Sequence, residues 1–271
     1  MQGSSRAAAA AGQEALLQVL QPGTDTDALA EDLFGMTSAL DSSATLRRAF
    51  ADPSRDADAK RGLVDALFGG KVSESATGLL KTLVTQRWSS ERDLSDTLES
   101  LAVQSLLVGA ERAGRADAVE DELFRFERIV ANSPALRDTL GSRNTDGPGK
   151  AALVTGLLEG KASPETIRLA AQAVRVPRGR RLDRTLEAYL DLAARRREEL
   201  TAVVIAAVVL SGAQQARLKR SLEGIYGKRV QLQVVQDPAV MGGIRVQVGD
   251  EVVDGTVLRR LEEARRHLAG G

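Results

Sequence analysis

The chain repeats itself, and the repeat limits its fold more than any other feature. The segment Asp27-Ala28-Leu29 through Leu33-Phe34 returns ninety residues later as Asp117-Ala118-Val119 through Leu123-Phe124. At the same offset Ser43-Ala44-Thr45-Leu46-Arg47 falls on Ser133-Pro134-Ala135-Leu136-Arg137. Lys60, Leu63, Val64 and Leu67 fall on Lys150, Leu153, Val154 and Leu157, and Gly70-Lys71 with Ser73 falls on Gly160-Lys161 with Ser163. After a two-residue gap, Leu94 and Thr97-Leu98-Glu99 are matched by Leu182 and Thr185-Leu186-Glu187. Leu- and Ala-rich helices align tolerably with one another, but the shared Gly-Lys-x-Ser element lies where a loop is expected, and helical composition does not account for it. The chain therefore carries a structural unit twice.

Each copy reads as a helical bundle. Leu94, Leu98 and Leu101 follow an i, i+4, i+7 spacing, as do Leu182, Leu186 and Tyr189, so each set lies on one helix face. Ser90 with Asp93 has capping-box spacing, Ser163 precedes a proline suited to a first helical position, and Gly70 and Gly160 stand where helices end. A long helix from about Glu91 to Arg112 closes the first copy. Its second half also opens the second copy, because the offset leaves little room for a separate element. The expected divisions are residues 1–110, residues 111–199 sharing the helix near 91–112, and a tail of residues 200–271.

The tail follows a different pattern. Thr201 to Leu210 is apolar and β-branched, as in a buried strand, and Ser211 with Gln214 starts a helix through Leu218, Leu222 and Ile225 to Gly227. Val230, Leu232 and Val234 alternate with glutamines, which describes a strand with one wet face. Ile244, Val246 and Val248 alternate in the same way, Gly249-Asp250 and Asp254-Gly255 read as turns about Val252-Val253, and Thr256 begins a final helix. The fold class is mostly α with a small α+β C-terminal domain: tandem helical bundles followed by a β-α-β-β-α unit. Gly242-Gly243 lies between two strands, with no Lys-Ser/Thr pair after it, so it reads as a backbone bend and not a phosphate loop.

Composition removes most chemistry. There is no cysteine, and the single histidine is His267, so thiolate metal sites, paired-histidine sites and Ser-His-Asp machinery are excluded. No carboxylate pair is spaced distinctively enough for acid/base work, and we expect no catalytic residue, cofactor or metal. The start, MQGSSRAAAAAG, does not read as a signal peptide, and the longest apolar run, Ala202 to Leu210, falls far short of the roughly 20 residues a membrane helix needs. Lys and Arg number 37 against 37 Asp and Glu, which gives no global pull toward nucleic acid or anionic lipid. Charge is uneven, however: residues 1–60 carry five basic and nine acidic side chains, and residues 195–271 carry thirteen and nine. The arginine-rich stretch RVPRGRRLDR, Arg175 to Arg184, reads as a solvated loop or a contact for an acidic protein. Its rival reading makes the chain a helical adaptor or nucleic-acid-binding protein, against which stand the balanced charge and the lack of interleaved aromatics.

The tail DPAVMGGIRVQVGDEVVDGTVLRRLEEARRHL closely resembles the C-terminal signature of the delta subunit of bacterial F-type ATP synthases, the family of the mitochondrial oligomycin-sensitivity-conferring protein. The matching residues are Asp237, Pro238, Gly242, Gly243, Val246, Val248, Gly249, Asp250, Asp254, Gly255, Arg260 and Leu261, with Met241 where the family usually has Ile or Val. The stretch LRRAFADPSRDADAKRGLVDALFGGKVSES, with its run from Lys60 to Phe68, resembles the family's helical N-terminal domain. A usual member has one helical copy, and the duplication looks like the actinobacterial form. The resemblance implies a non-catalytic stator subunit in the peripheral stalk, held at the cytoplasmic face of the membrane without entering it. Its helical part would receive the N-terminal helices of alpha subunits, and its tail would grip the b-type stalk. In the tail, Val257, Leu258, Leu261 and Ala264 are candidate stalk contacts.

Overall fold

The structure, a computed structural model, describes residues 3–142, 146–197, 199–226, 229–237, 240, 242–248 and 251–254. The chain divides into two compact units, Met1–Ala194 and Arg195–Gly271.

In the first unit the helices are α1 (Gly3–Val19), α2 (Thr26–Ser42), α3 (Ala44–Ala51), α4 (Ala57–Phe68), α5 (Glu74–Val84) and α6 (Glu91–Arg112). They continue as α7 (Ala116–Asn132), α8 (Pro134–Gly141), α9 (Gly147–Leu158), α10 (Pro164–Arg175) and α11 (Leu182–Arg197). Ser43 and Ser133 cap α3 and α8 through their hydroxyls, and Asp56 and Asp146 cap α4 and α9 through their carboxylates. Each cap satisfies amide donors that a helix start leaves unpaired.

The repeat extends to tertiary hydrogen bonds. Ser73 N–H donates to Asp32 Oδ2 on α2 at 2.8 Å, and ninety residues on Ser163 N–H donates to Glu122 Oε2 on α7, also at 2.8 Å. Gly70 and Gly160 take φ of 71° and 68°, a conformation a side chain resists, and let Lys71 N–H and Lys161 N–H turn back to the carbonyls of Phe68 and Leu158. Ser5 of α1 and Ser95 of α6 are both fully buried. Ser5 Oγ accepts from Ser89 N–H at 2.8 Å in the loop before α6, and Ser95 Oγ accepts from Arg178 Nη2 at 2.7 Å in the loop before α11.

One core runs through the helical unit, from Leu16 and Leu33 through Leu98 and Leu106 to Leu169 and Tyr189. Full burial of such a side chain stabilises by about 1.5–3 kcal/mol. Leu94, Leu98 and Leu101 lie inside it, as does Leu186. α6 packs against α1, α2, α3 and α5 and also against α7 and α10. Fourteen of its 22 residues are buried, so it has no solvent-facing stripe of ordinary width. α1 reaches its neighbours through small residues: Ser5, Ala8 and Gly12 are buried with Leu16, and a Cβ on Gly12 would stand 2.6 Å from Leu83 Cδ2. Arg112 at the end of α6 donates to the carbonyls of Leu20, Gln21 and Thr24, closing the turn after α1.

In the second unit β1 (Glu199–Ala206) leads through α12 (Gly212–Tyr226) to β2 (Arg229–Gln236), followed by β3 (Ile244–Val248) and β4 (Glu251–Asp254). The sheet order is β2-β1-β3-β4, with β1 parallel to β2 and antiparallel to β3, and β3 antiparallel to β4. Ser211 and Gln214 form the expected capping box: Ser211 N–H donates to Gln214 Oε1 at 2.8 Å and Gln214 N–H to Ser211 Oγ at 3.3 Å. Ala202, Val204, Val230, Val246 and Val248 form one apolar face with Leu222 of α12.

Two tail expectations need correction. β1 stops at Ala206 and not Leu210, because the ladder closes where Asp237 N–H reaches Ala206 O, and Val208 and Val209 lie exposed beyond it. The far face of β2 is not all wet, since Gln233 is buried there beside Val203. Period-two alternation shows which residues share a face but not what covers that face. The final helix expected from Thr256 lies outside the described residues.

Candidate functional site

Of the tail signature, the described part forms the connection from β2 to β3. Asp237 N–H donates to Ala206 O at 3.0 Å, Val240 N–H to Asp237 O at 3.1 Å and Gly242 N–H to Val240 O at 2.8 Å. Gly242 and Gly243 then take φ of 68° and 77°, two successive left-handed residues that turn the chain into β3. The pair is a backbone device, as its position between strands indicated. Asp254 sits opposite Arg245 in the β3–β4 register, with Val248 opposite Glu251. Pro238, Gly249, Asp250 and Gly255 lie outside the described residues, as do Val257, Leu258, Leu261 and Ala264.

A dense polar cluster lies in the helical unit. The arginine-rich stretch reads as a solvated loop or a contact for an acidic protein, yet the side chain of Arg178, in the loop between α10 and α11, is 5% exposed and is held by this chain's own carboxylates. It donates to Asp41 of α2 and to Ser95 and Glu99 of α6, and pairs with Asp96 at 2.9 Å. Arg180 also donates to Glu99, and Tyr189 Oη donates to Glu99 Oε1 at 3.0 Å. Burial alone would lower the Arg178 pKa, but the hydrogen bond to Asp41 and the charges of Glu99 and Asp96 hold it above its ordinary value. Burial raises Asp96 against the pull of Arg178, and burial followed by the Glu99 charge raises Tyr189. Arg178 sits at φ 54°, and Gly179 follows at 73°. A non-glycine residue in that region is held by its surroundings. These arginines bind the second copy to the first.

Arg168 of α10 also joins the copies, pairing with Glu31 at 2.5 Å and Asp27 at 3.4 Å on α2. Within the second copy Arg115 at the start of α7 pairs with Glu165 at 2.5 Å. Glu122 accepts from Ser163 N–H, Ser163 Oγ and Thr166 Oγ1 at 2.7–2.8 Å. Burial would raise its pKa, but those donors prevail and hold it below its ordinary value.

The copies differ on their outer faces. Phe34 is 4% exposed, and its counterpart Phe124 is 54% exposed. Between α7, α8 and the start of α11 lies a cleft of about 640 Å³, with Val130, Leu182 and Leu186 among its lining. Val130 and Leu186 are buried like their first-copy counterparts Leu40 and Leu98, whereas Leu182 is only partly buried where Leu94 is fully buried.

The ATP synthase delta (OSCP) subunit family matches residues 13–105 and again residues 102–268. ATP synthase subunit delta of Kineococcus radiotolerans is 46% identical over 269 residues, covering 99% of this chain and 98% of the relative. That of Streptomyces avermitilis is 46% identical over 269 residues, covering 98% of each chain. That of Beutenbergia cavernae is 45% identical over 271 residues and covers both chains fully. The chain belongs to the ATP synthase delta (OSCP) subunit family. The two family matches meet at residues 102–105, inside α6, and the delta subunits named here align along nearly their whole length. A chain of the Toxoplasma gondii mitochondrial ATP synthase hexamer aligns over 62% of this chain and 94% of its own at 18% identity and a TM-score of 0.29, too loosely to define a shared fold.

Among the described residues no group of three or more His, Cys, Asp or Glu is placed to hold a metal ion, and no helix is long and apolar enough to cross a membrane. Of the arginine-rich segment, Arg178 and Arg180 are engaged by the chain's own carboxylates, while Arg181 and Arg184 pair locally with Asp183 and Glu187. No local sequence signal marks this clasp: its arginines meet Asp41, Asp96 and Glu99 only once the chain is folded.

Proposed function

We propose that this chain is a stator subunit in the peripheral stalk of an F-type ATP synthase. It ties the catalytic head to the b-type stalk and resists the torque of the rotor during proton-driven synthesis. The observation that carries this reading is the family match over both copies and the tail, together with relatives aligned end to end. A tie of this kind does no chemistry. It needs durable interfaces, for which helix-in-groove docking is the natural mode. In this reading the helical region acts as two bundles, residues 1–110 and 111–199, sharing the helix near 91–112. They receive N-terminal helices of alpha subunits. The tail, residues 200–271, grips the b-type subunits, with Val257, Leu258, Leu261 and Ala264 as stalk contacts. The protein then works at the cytoplasmic face of the membrane without inserting. The second copy lengthens or stiffens the tie.

The test is removal. In membrane vesicles lacking this chain, ATP hydrolysis by the head should persist while synthesis driven by an imposed proton gradient is lost. Synthesis that remains tightly coupled without the chain sinks the proposal. Deleting one copy while keeping full coupling sinks the claim about the second copy alone.

A further inference from the structure

The loop that clasps the copies together also identifies an empty counterpart. In the first copy Arg178 and Arg180 dock on a socket made by Asp41, Arg47, Ser95, Asp96 and Glu99. The repeat carries Asp41 and Arg47 onto Ala131 and Arg137, and carries Ser95, Asp96 and Glu99 onto Asp183, Arg184 and Glu187. Two of the three acids of the first socket are thus replaced, by Ala131 and Arg184, while Asp183 adds a carboxylate where Ser95 stood. Ala131, Arg137, Asp183 and Glu187 line the 640 Å³ cleft between α7, α8 and α11. The two sites are therefore the same place in two copies, one filled by a loop and one open.

We propose that the second-copy cleft is a docking socket for an arginine-bearing turn of another protein. Three observations favour that occupant. First, the filled socket shows what the site takes: a buried guanidinium delivered on two successive left-handed residues, Arg178 and Gly179. Second, the charge suits it. Glu127, Asp138, Asp183 and Glu187 line the cleft against Arg137 and Arg181. Asp183 and Glu187 are 39% and 51% exposed in their pairs with Arg181 and Arg184, and such surface pairs exchange partners at little cost. Third, the first socket is filled by the next helical copy along the chain, whereas among the described residues the element that follows α11 is the strand β1. The proposal therefore takes the arginine for the second socket from a different polypeptide. An Arg suits the site better than a Lys because its planar fork can meet two acceptors at once.

The loop itself supplies the probe. A fluorescein-labelled peptide with the sequence AVRVPRGRRL, residues 173–182, is titrated with the full chain and followed by fluorescence anisotropy. Saturable binding is expected. It should weaken at least tenfold in Asp183→Lys/Glu187→Lys and also in Ala131→Trp, which fills the cleft from an exposed position without changing charge. The lysine version AVKVPKGKKL should bind at least fivefold more weakly. No saturable binding overturns the proposal, as does equal binding by the wild type and Ala131→Trp, which would mean that the peptide follows overall charge. A benzophenone amino acid at position 131 of the full chain tests the remaining occupant. Cross-linking to residues 255–271 of the same molecule would make the partner the chain's own tail and overturn the assignment to another protein. None of these readouts depends on the stator reading, so the two can fail separately.

Discussion

Replacing Arg178 by alanine tests the account of the clasp. The substitution removes a guanidinium that is 5% exposed and that holds Asp41, Ser95, Asp96 and Glu99 together. Breaking a buried ion pair from one side costs about 3–5 kcal/mol, because the remaining charge stays buried. Two features reduce that figure here. Glu99 keeps Arg180 and the Tyr189 hydroxyl, while Asp41 and Asp96 are 25% and 44% exposed and regain water. The expected loss is therefore about 2–3 kcal/mol. For a unit the size of Met1–Ala194 this lowers Tm by roughly 4–12 °C. Glycine gives a sharper comparison. Both variants lose the ion pairs, but at φ 54° glycine escapes about 1 kcal/mol of strain that alanine keeps. Arg178→Gly should thus be more stable than Arg178→Ala by about 1 kcal/mol, the reverse of the order at a loop position with ordinary φ. Urea titration followed by far-UV circular dichroism measures both differences. A loss below about 0.5 kcal/mol for alanine, or alanine more stable than glycine, refutes the reasoning.

Three further outcomes can be checked on the same footing. Glu122 has a folded-state pKa held below its ordinary value, so its contribution is present above the unfolded pKa of about 4.5 and is lost as pH falls through the folded value. Glu122→Gln should cost about 1 kcal/mol near neutrality, and urea midpoints of variant and wild type should converge in acid; a gap that stays constant counts against the three donor bonds as its source. Gly243→Ala forces a side chain into φ 77° and should cost about 1 kcal/mol, with Gly243→Asn costing less; equal thermal midpoints for all three would mean that the left-handed bend is dispensable. Gly78 lies inside α5 with open space where a Cβ would go, so Gly78→Ala should gain about 0.5–1 kcal/mol. Gly147→Ala drives its Cβ into the Arg175 carbonyl and should lose about 1–3 kcal/mol; a shared sign for the pair would show that the local space around these glycines does not decide.

The helices were legible because their signals are local. The stripe Leu94/Leu98/Leu101, the pair Ser211/Gln214 and the glycines 70 and 160 each act within a few residues of themselves, and each performs its expected role. The Arg178 clasp could not be read in that way. Its acceptors lie 79 to 137 residues away, and an arginine run has the same composition whether water or carboxylates surround it. α1 was also missed as a helix, since MQGSSRAAAAAG lacks large apolar residues. Its buried face is built from Ser5, Ala8 and Gly12, whose value lies in how closely a neighbour can approach. The strand Glu199–Ala206 was placed correctly but extended too far, because Val208 and Val209 continue the apolar run after the ladder has ended. In the candidate site, the glycine bend was legible from its position between strands. The cleft was not, because it exists only as a difference in how two related copies pack.

α6 has neighbours on nearly every side. A change at Val103 or Leu106 is therefore felt at once by helices that come before it in the chain and by helices that come after it. Damage there should be repairable by second-site changes in either half of the helical unit. A defect on an outer helix such as α9 should find its suppressors close by. For a genetic screen on this protein, α6 is the segment where mutational tolerance is lowest and where distant compensation is most informative.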